Sequence, residues 1–176
     1  MVKSLFSVRF LSVLAGSMLM VFSVTSGAFC QAPGADEASV HNQRGMEYFK
    51  KGFYDHAPKH QDAEAERNYG FAVKEFTAAI SRDSSSIESH RNLARVYHVQ
   101  RNFVGAAEEY KKVIELVPGD LDAYVNCALA CIELQRFDEA IQLLKDAKGQ
   151  TSDAKTLETL DSYIAKVIAH QAKGVR

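Results

Sequence analysis

Asp55, His56, His60, Asp62 and Glu64 crowd one short stretch of this chain, and together they have the chemistry of metal ligands. Imidazole and carboxylate in company suit a transition metal. A strong site of this kind places two histidines four apart on one helical face. His56 and His60 have that spacing, but Pro58 stands between them and interrupts a helix through Asp55–His60. The stretch is read as a solvated polar loop, with a weak transition-metal site as the alternative.

The other reactive side chains are less promising. Cys127 and Cys131 are four apart. On one helix that spacing separates their Cβ atoms by ~5–6 Å, whereas a disulfide wants ~3.8 Å. Both are read as buried free thiols, since free cysteine behaves as a small hydrophobe. No second cysteine pair completes a zinc site. Ser84-Ser85-Ser86 is a polar turn at a helix end, and no Gly-rich phosphate loop or zinc-protease motif accompanies it. His90 matches a packing position, and nothing beside His98 in sequence would orient it as a base. The reading is a non-enzyme without a cofactor. A formal charge of −1 and the lack of a basic stripe or nucleic-acid module argue against nucleic acid as a partner.

The elements that carry these residues follow from a period. Tyr69, Phe103 and Phe137 recur every 34 residues, as do Ala72, Ala106 and Ala140, and Phe76, Tyr110 and Leu144. Self-similarity at such a period marks stacked helical hairpins. Small residues let two helices approach, and aromatics one turn away fill the space between successive units.

Residues 87–120 carry the pattern most fully, with Leu93, Ala94, Tyr97, Ala106, Tyr110 and Pro118 in register. This segment resembles a complete tetratricopeptide repeat, with His90 in place of the usual aromatic and Arg101 in place of the turn glycine. Residues 121–154 keep the register through Tyr124, Ala128, Phe137, Ala140, Leu144 and Ala147, while Ser152 replaces the closing proline and Ser-Asp offers a cap for a further helix. Residues 38–86 form a first, split repeat. Gly45 and Ala72 are 27 apart where Ala94–Ala106 and Ala128–Ala140 are 12 apart, so 15 extra residues enter at about 53–67. An exposed loop is expected from about Phe53 to Gln61, followed by a lengthened second helix. Residues 155–173 then read as a single capping helix, with Leu157, Leu160, Ile164, Val167 and Ile168 inward and Glu158, Asp161, Lys166 and Gln171 outward. The resemblance implies an all-α, right-handed α-solenoid of three such repeats plus a capping helix, and a role in binding other proteins.

It also implies where binding occurs, because in the family the first helices of successive repeats line a concave groove. The matching positions here are Asn42, Met46, Phe49 and Lys50 in the first repeat, Glu88, Arg91, Arg95 and His98 in the second, and Val125, Leu129 and Ile132 in the third. Asn92 and Asn126 take the neighbouring position, where an asparagine in related proteins bonds a ligand's backbone. Chaperone-binding members use a lysine and an asparagine on the first repeat's groove face. Asn42 and Met46 occupy those places, so the resemblance does not extend to that subfamily.

The residues themselves add two features. Arg91, Arg95 and His98 share a helical face and make a positive spot suited to a carboxylate. Val125, Leu129 and Ile132 share a face too, while Tyr124, Ala128 and Cys131 already serve the core. A helix apolar nearly all round is buried nearly all round. The cover is a ligand, another protomer, or the chain's own C-terminal helix.

Residues 1–30 read as a secretory signal peptide: Lys3 and Arg9 first, an apolar stretch Phe10–Val24, then Ser26-Gly27-Ala28. The apolar stretch falls short of the ~20 residues a membrane-spanning helix wants. Retention as an anchor is the alternative, and it alone would make a membrane a partner. Lipidation at Cys30 fits poorly, because Phe29 precedes it where a small residue is needed. Residues 31–37 are a short linker. Export makes the protein periplasmic or secreted. The leading function is therefore an adaptor that holds a partner segment in the groove of an envelope assembly. A structural homo-oligomer subunit and a metal-handling protein are the alternatives.

Overall fold

The computed structural model describes residues 35–174. The expected signal peptide and Cys30 lie outside them. Seven α-helices follow one another: α1 Ala35–Lys50, α2 Asp62–Arg82, α3 Ile87–Val99, α4 Phe103–Leu116, α5 Leu121–Glu133, α6 Phe137–Gly149 and α7 Ala154–Gly174. Among the described residues there is no strand, and no helix is long and apolar enough to cross a membrane. The fold is an all-α solenoid of paired helices.

Local chemistry sets the helix starts. Asn102 Oδ1 accepts from Gly105 N at 3.1 Å and opens α4. Asp120 Oδ1 accepts from Ala123 N at 3.1 Å and opens α5. Asp153 accepts the Thr156 N–H at 2.8 Å and opens α7, as Ser-Asp suggested. Such caps satisfy donors that the first turn leaves free.

The periodic small residues are where helices touch. Ala72, Ala94, Ala106 and Ala140 are fully buried, and Ala128 nearly so. Gly45 plays this part on α1: a Cβ there would stand 2.6 Å from the Phe76 ring. His90 is buried in its repeat, with Nδ1 2.6 Å from Glu109 Oε2 and Nε2 3.1 Å from the Ser84 carbonyl oxygen, so it ties α3 to α4 and to the preceding turn. Cys127 and Cys131 are free and buried. The adjoining Cys131 thiol and burial together push the Cys127 thiol up. Lys111 of α4 meets Glu139 of α6 at 2.6 Å. This hydrogen bond holds the Glu139 carboxyl below its ordinary range. The tie between repeats is therefore present at neutral pH and fades as acid protonates the carboxylate.

The inserted stretch differs from the expected loop. α1 runs on through a π-helical segment, Lys51–His56, and a tight turn, Ala57–Lys59. Gly52 is buried against the Tyr69 ring, which a Cβ at this position would approach to 2.8 Å. That contact packs the start of the π-helical segment on α2, and the segment stays helical to His56, where a loop from about Phe53 was expected. Pro58 sits in the first positions of the tight turn, where its missing N–H costs nothing. The chain reverses at His60, in the left-handed region with φ 57°. α2 is lengthened as expected.

Arg101 and Gln135 stand at equivalent turns with φ of 58° and 59°. L-residues pay about 1–2 kcal/mol for this conformation, and glycine does not. Glycine's looser unfolded chain returns roughly 0.5–1 kcal/mol of that gain. Gln135→Gly is expected to stabilise the fold by about 0.5–1 kcal/mol in denaturant titration. Arg101→Gly gains less, because Arg101 also lies 5.9 Å over the Phe103 ring.

Candidate functional site

The first helices of the pairs, α1, α3 and α5, carry the residues expected to line the groove, and the structure divides them. Asn42 and Asn92 are buried in the seam between α1 and α3. Asn92 donates its amide to Asn42 Oδ1 at 3.2 Å, and Ser89 Oγ donates to the same oxygen at 3.4 Å. Through Asn42 Oδ1 and the Asn92 amide the two side chains interlock two repeats. Asn126 spends its amide on the Asp122 carbonyl of its own helix, at 2.7 Å. Met46 and Phe49 are half-buried and pack on the cluster built from Tyr69, Phe76, Leu93 and Val96. Lys50 and Glu88 are exposed. His98 is half-buried, its ring edge-on to Phe103 with centroids 5.4 Å apart.

The positive spot splits as well. Arg91 pairs with Asp120, whose other oxygen caps α5. Arg91 thus ties α3 to the start of α5, while Arg95 is exposed and its charge is uncompensated by an ion pair among the described residues. Asp120→Ala should cost about 2 kcal/mol by chemical denaturation, combining the cap with the half-buried ion pair. Asp120→Asn keeps the cap and should cost about half as much.

Val125 and Ile132 are half-buried and pack on the main core, while Leu129 stays 46% exposed. They form one wall of a cavity of about 310 Å³, closed below by Ala128 and Leu144 and on the far side by Tyr163, Lys166 and Val167 of α7. The C-terminal helix therefore covers this apolar face only in part. It also turns less of its own apolar side inward than expected: Leu160 and Val167 are buried, but Ile168 is 51% exposed.

Tyr163 and Lys166 were not among the expected groove residues, because Lys166 was assigned to a solvated face. The signal was present in the period. Tyr163 lies 34 residues after Leu129, and Lys166 lies 34 after Ile132. α7 thus continues the row of first helices. Lys166 Nζ sits 5.7 Å over the Tyr163 ring and has no ion-pair partner among the described residues.

His56 Nδ1 bonds Gln61 Oε1 at 2.8 Å. Among the described residues no three His, Cys, Asp or Glu side chains come together in a way that could hold a metal.

The tetratricopeptide repeat family matches residues 61–120 and again residues 99–160. Solved structures show the same fold. The Arabidopsis OM64 TPR domain is 18% identical with a TM-score of 0.57, over 76% of this chain and 98% of that one. The first TPR of Spaghetti (RPAP3), bound to the HSP90 peptide SRMEEVD, is 20% identical with a TM-score of 0.58, over 77% and 95%. The TPR2B-domain:pHsp70 complex of yeast Sti1 is 22% identical with a TM-score of 0.57, over 79% and 99%. At these identities the likeness is one of fold alone. No curated protein matches the chain in sequence.

Proposed function

Residues 61–160 of this chain belong to the tetratricopeptide repeat family, and from that premise we propose a non-catalytic adaptor that holds a segment of a partner protein on its concave face. Repeats of this family typically mediate protein–protein interaction. The observation that carries the reading is the half-open apolar face of α5, with Leu129 46% exposed, in the same register as the exposed Arg95 of α3. A helix face this apolar, rimmed by charge and left partly uncovered, has the make-up of a binding surface.

The adaptor is exported and works in a bacterial envelope assembly, in the periplasm or outside the cell. The positive, apolar and small-residue segments of residues 1–30 support this. Mass spectrometry of the N-terminus after expression in a bacterial host tests it: a protein that keeps Met1 and fractionates with cytosol contradicts export.

A photo-crosslinking residue placed at Arg95 should capture the partner from envelope extract. The same residue at Lys112, exposed on the second helix of that repeat, should not. Equal capture at both positions removes the concave face from consideration. The second reading, a structural homo-oligomer subunit, draws on the exposed Tyr163 and Ile168 of α7. Light scattering across a concentration series decides it.

A further inference from the structure

The buried histidine of the second repeat has a counterpart in the first. His90 stands four residues before Ala94, the small residue of its helix, and Glu109 stands three after Ala106. His41 stands four before Gly45, and Glu75 three after Ala72. Each pair meets across its own hairpin: His90 Nδ1 lies 2.6 Å from Glu109 Oε2, and His41 Nδ1 2.7 Å from Glu75 Oε2. In the third repeat the same two places hold Tyr124 and Leu143, which pack in the apolar core. A histidine–carboxylate clasp thus closes the first two repeats and is replaced by apolar packing in the third.

The surroundings of His90 select one charge state. Its side chain is 8% exposed. Nδ1 faces a carboxylate, and Nε2 lies 3.1 Å from the Ser84 carbonyl oxygen. A neutral imidazole has one N–H and one bare nitrogen, whereas the imidazolium donates from both. The neutral ring would set a lone pair against an oxygen and leave that acceptor without its donor. Between an imidazole and a carboxylate the imidazole is the stronger base, so the shared proton rests on the ring. Glu109 on α4 and the Ser84 carbonyl in the turn after α2 face His90, and Glu75 on α2 faces His41. Charges beside them are engaged elsewhere: Asp83 accepts from Ser85, Arg91 pairs with Asp120, and Arg82 of α2 pairs with Glu37 of α1. Glu88 and Glu108, exposed on α3 and α4, add negative charge near His90. His41 is the weaker case. Only its Nδ1 meets an acceptor among the described residues, and exposed Arg44 lies one turn along α1.

We infer that acid fastens the first two repeats: the folded chain holds an imidazolium at His90, seconded by His41, which the unfolded chain gives up near neutrality. Histidine in water loses its second proton at about pH 6.5. Because the folded state binds the extra proton, the contribution of the clasps is complete in mild acid and is lost as pH rises. The Lys111–Glu139 tie runs the other way, since it fades only when acid protonates the carboxylate. Clasps and tie therefore answer pH in opposite senses.

Nitrogen-15 spectra of the histidine rings in the full chain read the charge state directly. At pH 7 His90 should carry protons on both ring nitrogens, while His60, exposed in its turn, carries one. A bare nitrogen on His90 at that pH overturns the inference. Urea titration at pH 5.5 and 8.5 reads the consequence. The folding constant of the parent should fall about tenfold or more on going to pH 8.5. His90→Gln, which keeps a donor without the charge, should remove most of that fall, and adding His41→Gln should remove more. His60→Gln should leave it unchanged. A double variant that still shows the whole fall also overturns the inference. If the double variant does not fold, the spectra of the parent decide.

Discussion

Phe76→Ala is expected to lower the unfolding free energy by about 3–5 kcal/mol, the range for removing a buried aromatic from a packed core. Phe76 is fully buried in the first repeat, and its ring fills the place where a Cβ on Gly45 would go. The two residues make one contact, and that gives the prediction a second arm. Gly45→Ala alone should destabilise by about 1–3 kcal/mol, because the new methyl group lands 2.6 Å from the ring. With Phe76→Leu in the background the same change should cost less or become favourable, since alanine gains about 1 kcal/mol over glycine inside a helix. Equilibrium denaturation of the single and double variants closes the cycle. Additive effects would mean that Gly45 and Phe76 do not meet, and the pairing of α1 with α2 would be misplaced.

Leu129→Asp should weaken partner binding about a hundredfold or more, close to 3 kcal/mol, because it buries an unpaired carboxylate in the contact. Leu129→Ala should cost only the lost apolar area, about 1–2 kcal/mol. The fold should survive both, since Leu129 is 46% exposed in the free chain. Stability is expected to move by no more than about 1 kcal/mol. Isothermal calorimetry with a captured partner segment, beside a melt of each variant, separates binding from folding. A folded Leu129→Asp variant that binds as tightly as the parent would take the α5–α7 cavity out of the binding site. Arg95→Glu should act more weakly and more strongly at low salt, as exposed charges are screened.

Sequence alone determined the architecture here, because its causes are local or repeat from unit to unit. The spacing of Tyr69, Phe103 and Phe137, the small residues at Ala72, Ala106 and Ala140, and the caps at Asn102, Asp120 and Asp153 each act within a hairpin or on the next one. The period even reached Tyr163 and Lys166, had it been carried into the last helix. Other features depended on how one helix is turned toward another. Asn42 and Asn92 face each other across the α1–α3 seam, 50 residues apart, and Arg91 finds Asp120 29 residues away. Neither pairing leaves a mark on periodicity, since a polar residue on a first helix reads the same whether it meets solvent or a neighbour. The stretch after Lys50 is helical and lays Gly52 against Tyr69, a contact between two helices that composition around Pro58 could not show. The width of the α5–α7 cavity was decided the same way. It depends on where α7 rests, and α7 is held by the packing of Leu160 and Val167 into the same core that α5 and α6 build.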